Sequence, residues 1–151
     1  MLSAASSTRD SQFRVPRFGS WRGRLRTEGM SDRQHPILIV EDDVEIREAM
    51  SELLESRGYA VSVARHGAEA LEQLRAGSRP CIILLDLMMP VMDGWTFCQE
   101  TERDPAFAAI PILIVSAVTR LDPRTAHVRS VAQLSKPLNF DDLLAALALH
   151  C

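Results

Sequence analysis

Residues 81–94 read CIILLDLMMPVMDG, and this stretch decides the fold class. Cys81 to Leu85 is apolar without a polar alternate, the pattern of a strand covered on both faces in a parallel sheet. Asp86 follows directly. A carboxylate at the end of so apolar a strand is forced toward low dielectric unless a cation or solvent meets it. Asp93 then reads as an N-cap, and Gly94 to Arg103 as the helix that leads away.

Outward from this stretch the same alternation repeats from residue 36 onward. Ile37 to Val40, Ala60 to Val63, Ile112 to Val115 and Ala132 to Ser135 read as four further strands. After Asp43, a candidate N-cap, Ile46, Ala49, Met50, Leu53 and Leu54 fall on one helical face, and Gly58 ends the helix. Gly67 to Ala76 repeats the pattern and stops at Gly77. A last helix follows Asn139 with Phe140, Leu143, Leu144 and Leu147 on one side. Between the fourth and fifth strands Asp122-Pro123 can start a helix, yet Arg124 to Val131 has no apolar stripe. Strands alternating with helices predict an α/β fold, a doubly wound five-stranded parallel sheet with helices on both faces. Ligands of such sheets bind at the carboxyl ends of the strands.

Four polar groups sit at such ends. Glu41-Asp42-Asp43 follows the first strand, Asp86 the third, Ser116 closes the fourth, and Lys136-Pro137 follows the fifth. Singly each has a dull explanation, because acids cap helices and serines end strands. If the first, third, fourth and fifth strands are neighbours, these groups converge on one pocket. Lys136 is the only lysine among 17 basic residues, so a chain that otherwise uses guanidinium places a compact ammonium here.

ILIVEDDVEIRE (37–48), IILLDLMMPVMDG (82–94), ILIVSA (112–117) and LSKPL (134–138), in this order and spacing, resemble the receiver domains of bacterial response regulators. The resemblance covers residues 36 to 149 and implies a flavodoxin-like strand order of 2-1-3-4-5. It implies Asp86 as phosphoacceptor, Mg²⁺ as cofactor, Asp42 and Asp86 as direct metal ligands, Met88 as a ligand through its backbone carbonyl, and Glu41 as a ligand through water. Asp43 is read instead as the cap of the first helix. Ser116 and Lys136 would contact the phosphoryl group, and the peptide before Pro137 would be cis. Met88 and Val118 occupy the two positions that tune hydrolysis, and neither side chain can orient a water by hydrogen bonding. The phosphodonor would be a sensor histidine kinase or a histidine phosphotransfer protein. One departure stands out: where many receivers have an aromatic residue three positions before the lysine, this chain has Gln133, so the usual aromatic half of the switch is missing.

Two rival readings fail on residues. A pseudo-receiver would lack the acceptor, an acid or the lysine. An aspartyl phosphatase on a related fold would need an acid two positions after its nucleophile, where Met88 stands. The domain is therefore expected to be a phosphoacceptor rather than an enzyme.

Composition frames the partners. Net charge is −3, but residues 1–33 carry seven Arg against three acids, leaving the remainder at −7. That acidity predicts no direct DNA binding. With a final helix running to Cys151, the chain reads as a stand-alone regulator whose downstream target is an unidentified protein. Residues 1–35 are expected to be a disordered basic leader, with Met30 as an alternative start, and 36–151 the receiver domain. Cys81, Cys98 and Cys151 share no metal or redox spacing and are expected as reduced thiols. No apolar run approaches the roughly 20 residues of a membrane span. A cytoplasmic, membrane-free protein is the expectation.

Overall fold

The structure is a computed structural model in which residues 35–118 and 122–151 are described. The chain divides into Met1–Gln34 and His35–Cys151. The leader reading, Met30 included, lies outside the described residues except at His35.

Five strands, β1 (Ile37–Val40), β2 (Val61–Ala64), β3 (Ile82–Leu85), β4 (Ile112–Ser116) and β5 (Ala132–Ser135), pair in parallel in the order β2-β1-β3-β4-β5. Four helices connect or follow them: α1 (Val44–Ser56), α2 (Gly67–Arg75), α3 (Gly94–Arg103) and α4 (Phe140–His150). The doubly wound sheet is as the apolar runs predict.

Strand periodicity sorts the core into two layers. Leu38, Val40, Ile83, Leu85, Ile112 and Ile114 point to one face, where Ala70, Leu71 and Leu74 of α2 and Phe97 and Cys98 of α3 cover them. Ile37, Ile39, Ile82, Leu84, Leu113 and Val115 point to the other, against Met50 and Leu54 of α1 and Leu143 and Leu147 of α4. Both layers need apolar side chains on β1, β3 and β4, which is why those strands show no alternation. At about 1.5–3 kcal/mol per fully buried aliphatic side chain, this double cover dominates the stability of the sheet centre.

Helix starts are capped by the side chains of Asp43, His66, Asp93 and Asn139, each accepting from a backbone N–H of the first turn. Of these, only His66 carries no helix-start signal in the sequence.

Two expectations are corrected here. The segment after Asp122-Pro123 forms only a 3₁₀ turn, Thr125–His127, in place of a fourth crossover helix. With Arg124, His127 and Arg129 and no apolar stripe, it lacks the burial that would hold an α-helix on the sheet. The second concerns the thiols. Cys81 and Cys151 are joined as a disulfide, their Cα atoms 5.6 Å apart, and only Cys98 is free. The fold brings the entry of β3 beside the end of α4, a meeting that a sequence separation of 70 conceals.

Gly94 fixes how closely α3 approaches the end of β3. A Cβ there would lie 2.5 Å from the Asp86 carbonyl oxygen and 2.7 Å from the Leu87 Cα. Those neighbours are backbone and cannot rotate away. Gly94→Ala is therefore expected to cost about 1–3 kcal/mol in urea denaturation, with the Asp86 loop displaced. An unchanged midpoint would show that the loop yields freely.

Candidate functional site

The register sets the site. Val40 pairs with Leu85, and the Asp86 N–H donates to the Val40 carbonyl at 3.0 Å, so Glu41 and Asp86 leave β1 and β3 side by side. Ser116 pairs with Ser135, and the Lys136 N–H donates to the Ser116 carbonyl at 3.2 Å. Glu41, Asp86, Ser116 and Lys136 thus line one edge of the sheet although they span 95 residues of sequence.

Three of them are buried: Glu41 is 1%, Asp86 5% and Ser116 0% exposed. Lys136 answers this negative charge. Its Nζ donates to Glu41 Oε1 at 2.5 Å and lies 3.3 Å from Asp86 Oδ2. Asp42 lies exposed beside them. Glu41, Asp42 and Asp86 each offer a carboxylate oxygen, all within 4.8 Å of one another. Three carboxylates against one ammonium leave an excess of negative charge on hard oxygen donors, which fits Mg²⁺.

Backbone contacts hold these groups in place. The Asp43 N–H donates to Glu41 Oε2 at 3.3 Å, and Asp43 Oδ1 caps α1 by accepting from Ile46 at 3.1 Å. Asp86 Oδ1 accepts from the Met88 N–H at 3.3 Å, while the Met88 side chain is exposed. Ser116 Oγ accepts from the Val118 N–H at 3.3 Å, and the Lys136–Pro137 peptide is cis.

Two further side chains contribute: Arg47, which carried no sequence signal, and Gln133, legible only as a departure from the family's aromatic residue. Arg47 reaches back from α1 to donate to the Glu41 carbonyl at 2.7 Å and the Asp42 carbonyl at 3.4 Å, stapling the acidic loop to the helix. Gln133 donates through its amide to the Val118 carbonyl at 3.2 Å. That amide ties β5 to the loop after β4 by a hydrogen bond. Gly94 was legible only as the residue after a cap, in MDG; a glycine opening a helix, where better helix formers abound, was the available clue.

Glu41 titrates in an unusual range. Burial raises its pKa, the hydrogen bond from Lys136 works against that rise, and the Asp86 charge adds to it, with the carboxyl pushed up to about 7. For Lys136, burial disfavours the charge, but Glu41 and Asp86 outweigh it and hold the ammonium above its ordinary value. A proton on Glu41 opposes cation binding. Mg²⁺ affinity measured by calorimetry is thus expected to rise by up to about tenfold per pH unit below about 7 and then level off. A flat profile across that range would show that Glu41 is not part of the cation site.

Comparison with known proteins places the family. Residues 37–148 match the family model of the response regulator receiver domain. The chain is 37% identical over 111 residues to the DNA-binding dual master transcriptional regulator RpaA of Synechocystis, covering 72% of this chain and 46% of that protein. It is 36% identical over 113 residues to the response regulator MprA of a Mycobacterium species, covering 74% and 48%. Among solved structures, the chemotaxis response regulator CheY4 of Vibrio cholerae superposes with a TM-score of 0.72 at 30% identity, over 78% of this chain and 99% of that one. The chain spans about half the length of the curated relatives it matches.

The first of these relatives overturns the expectation of no direct DNA binding, since it is itself a DNA-binding regulator. The physical reason lies in what was counted. The acidity of residues 34–151 describes a segment that matches less than half of that relative, and it says nothing about the charge of the other part. Among the described residues, no helix is long and apolar enough to cross a membrane.

Proposed function

The chain belongs to the response regulator receiver domain family, and on that premise we propose that it accepts a phosphoryl group on Asp86 in a Mg²⁺-dependent reaction. The observation that carries this reading is the Asp86 carboxylate itself. It is buried at the end of β3, with an oxygen 3.3 Å from the only lysine and two further acids, Glu41 and Asp42, within ligand reach.

A histidine kinase or phosphotransfer protein presents a phosphohistidine. An Asp86 carboxylate oxygen attacks the phosphorus, the P–N bond breaks, and the imidazole leaves and takes up a proton. Asp42 and Asp86 would hold Mg²⁺ directly, with the Met88 carbonyl, and Glu41 through water. The ion would supply positive charge against the phosphoryl oxygens. Lys136 contributes a charge-assisted hydrogen bond to one of those oxygens once the phosphoryl group displaces its contact with Asp86. Ser116 offers its hydroxyl to another.

The test is incubation of the full chain with a small phosphodonor such as acetyl phosphate, with and without Mg²⁺. Acid-labile label mapped to Asp86 by mass spectrometry, and lost on chelation, is the expected result. Label at another residue, or label indifferent to chelator, overturns the assignment.

Persistence of that label follows from the rim. The exposed Met88 and the half-buried Val118 give an attacking water no hydrogen-bonding side chain. A lost positioning contact of about 1.4 kcal/mol in the transition state slows a reaction about tenfold. Label is therefore expected to outlast donor removal by minutes or more, and Met88→Asn with Val118→Glu to shorten its life about tenfold or beyond. Decay within seconds in the parent would defeat this.

A further inference from the structure

His35, Cys81 and Cys151 meet at the other end of the sheet. His35 precedes β1, Cys81 leads into β3, and Cys151 follows α4, yet one ligand atom of each lies within 4.8 Å of the others. The Cys81 N–H donates to the Pro36 carbonyl at 2.8 Å, so the strand ladder itself sets the first cysteine beside the histidine. Their setting is accessible, with His35 exposed and both cysteines half-buried. Asp86 lies five residues further along β3, about 16 Å away at the rise of a strand. This cluster is therefore separate from the carboxylate pocket.

Donor chemistry separates the two places as sharply as distance. Two sulfurs and an imidazole are poor ligands for Mg²⁺ and good ones for zinc, whose structural and catalytic sites are built from this set. Tetrahedral zinc, with bonds of about 2.3 Å to sulfur and 2.0–2.1 Å to nitrogen, wants its donors roughly 3.3–3.8 Å apart. On reduction the two sulfurs, at bonding distance in the disulfide, would part to that spacing, and the His35 nitrogen, within 4.8 Å of both, would close to it.

We propose that His35, Cys81 and Cys151 form a thiolate–imidazole site for Zn²⁺, available when the Cys81–Cys151 disulfide is reduced and closed when it is formed. Reduction by a dithiol transfers two electrons: the S–S bond breaks, Cys81 and Cys151 become thiols, and the reductant becomes a disulfide. Zinc then displaces one proton from each thiol and binds neutral His35 through a ring nitrogen, with a fourth position left to solvent. Cys98 does not compete, because it is buried in α3, where desolvation pushes its thiol up to about 12.

The experiment titrates Co²⁺ into the full chain, reduced with a phosphine and saturated with Mg²⁺ to occupy the carboxylates. One equivalent giving a thiolate-to-cobalt charge-transfer band, abolished by Zn²⁺, is the expected result. The band should vanish in Cys81→Ser and in Cys151→Ser, persist in Cys98→Ser, and need about tenfold more metal in His35→Ala. The oxidised parent, which carries no substitution and keeps its fold, should show no band. Absence of the band from the reduced parent, its persistence in the oxidised parent or in Cys81→Ser, or its loss in Cys98→Ser, overturns the site.

Discussion

Asp86→Asn is expected to abolish acid-labile phosphorylation by either a kinase or a small phosphodonor. The amide keeps the shape of the side chain but lacks the anionic oxygen that attacks phosphorus. Nothing nearby replaces it: Glu41 is 1% exposed and engaged by Lys136, while Asp42 stands outside the buried edge. The fold should survive, because Asp86 is one of three clustered carboxylates and its neutralisation relieves repulsion. Parallel measurements separate the outcomes. Labelling equal to that of the parent shows that another residue accepts the group. Lost labelling together with a lowered melting temperature shows instead that Asp86 is needed for structure.

Lys136→Met is expected to destabilise the metal-free protein by about 3 kcal/mol at pH 8, near the lower end for breaking a buried ion pair. The substitution keeps the length of the side chain and removes the charge held 2.5 Å from Glu41 and 3.3 Å from Asp86. The deficit should depend on pH in a definite direction. Glu41 has a folded-state pKa raised from 4.5 to about 7, so the folded chain binds more protons, and ionisation of this group subtracts stability as pH rises through that window. Without the lowering hydrogen bond from Lys136, its pKa climbs further and the loss extends above 7. Lys136 has the same sign in a higher window: its raised pKa contributes stability that is present below 10.5 and lost as pH rises through the folded value. At pH 5 Glu41 is protonated in parent and variant, and the deficit should shrink. Urea denaturation at pH 5 and 8 measures this. Mg²⁺ should recover part of the loss at pH 8, since a cation bound only by the folded state stabilises it by mass action. Equal deficits at the two pH values would show that Glu41 is not the group left unpaired.

Both results turn on a charge arrangement assembled from strands far apart in sequence. What connects it to the rest of the molecule is backbone. Arg47 binds the acidic loop to α1, and Gln133 binds the loop after β4 to β5. A change at Asp86 that moves Ser116 or Val118 would therefore reach β5 through the Gln133 amide. The aromatic rotation usual in this family has no counterpart at that position.

The parallel α/β sheet was legible in the residue pattern, because strands buried on both faces leave no position for a polar alternate, and β1, β3 and β4 show this directly. The polar strand ends were legible too, since a carboxylate, a hydroxyl and the lone lysine, each with a dull explanation singly, recur after four apolar runs. The rest depends on how the elements pack. Asp122-Pro123 looked like a helix start, but a helix needs an apolar face to dock, and Arg124 to Val131 offered none, so a 3₁₀ turn formed. The cysteines had no informative spacing, yet β3 and α4 brought Cys81 to Cys151, because contacts between elements follow sheet order and not chain order. Lys136 could be singled out in the sequence, but its grip on Glu41 could not. That contact depends on β1 lying next to β3 and β5 lying past β4, and the burial of Glu41 in the same arrangement pushes its carboxyl up to about 7 against the pull of Lys136.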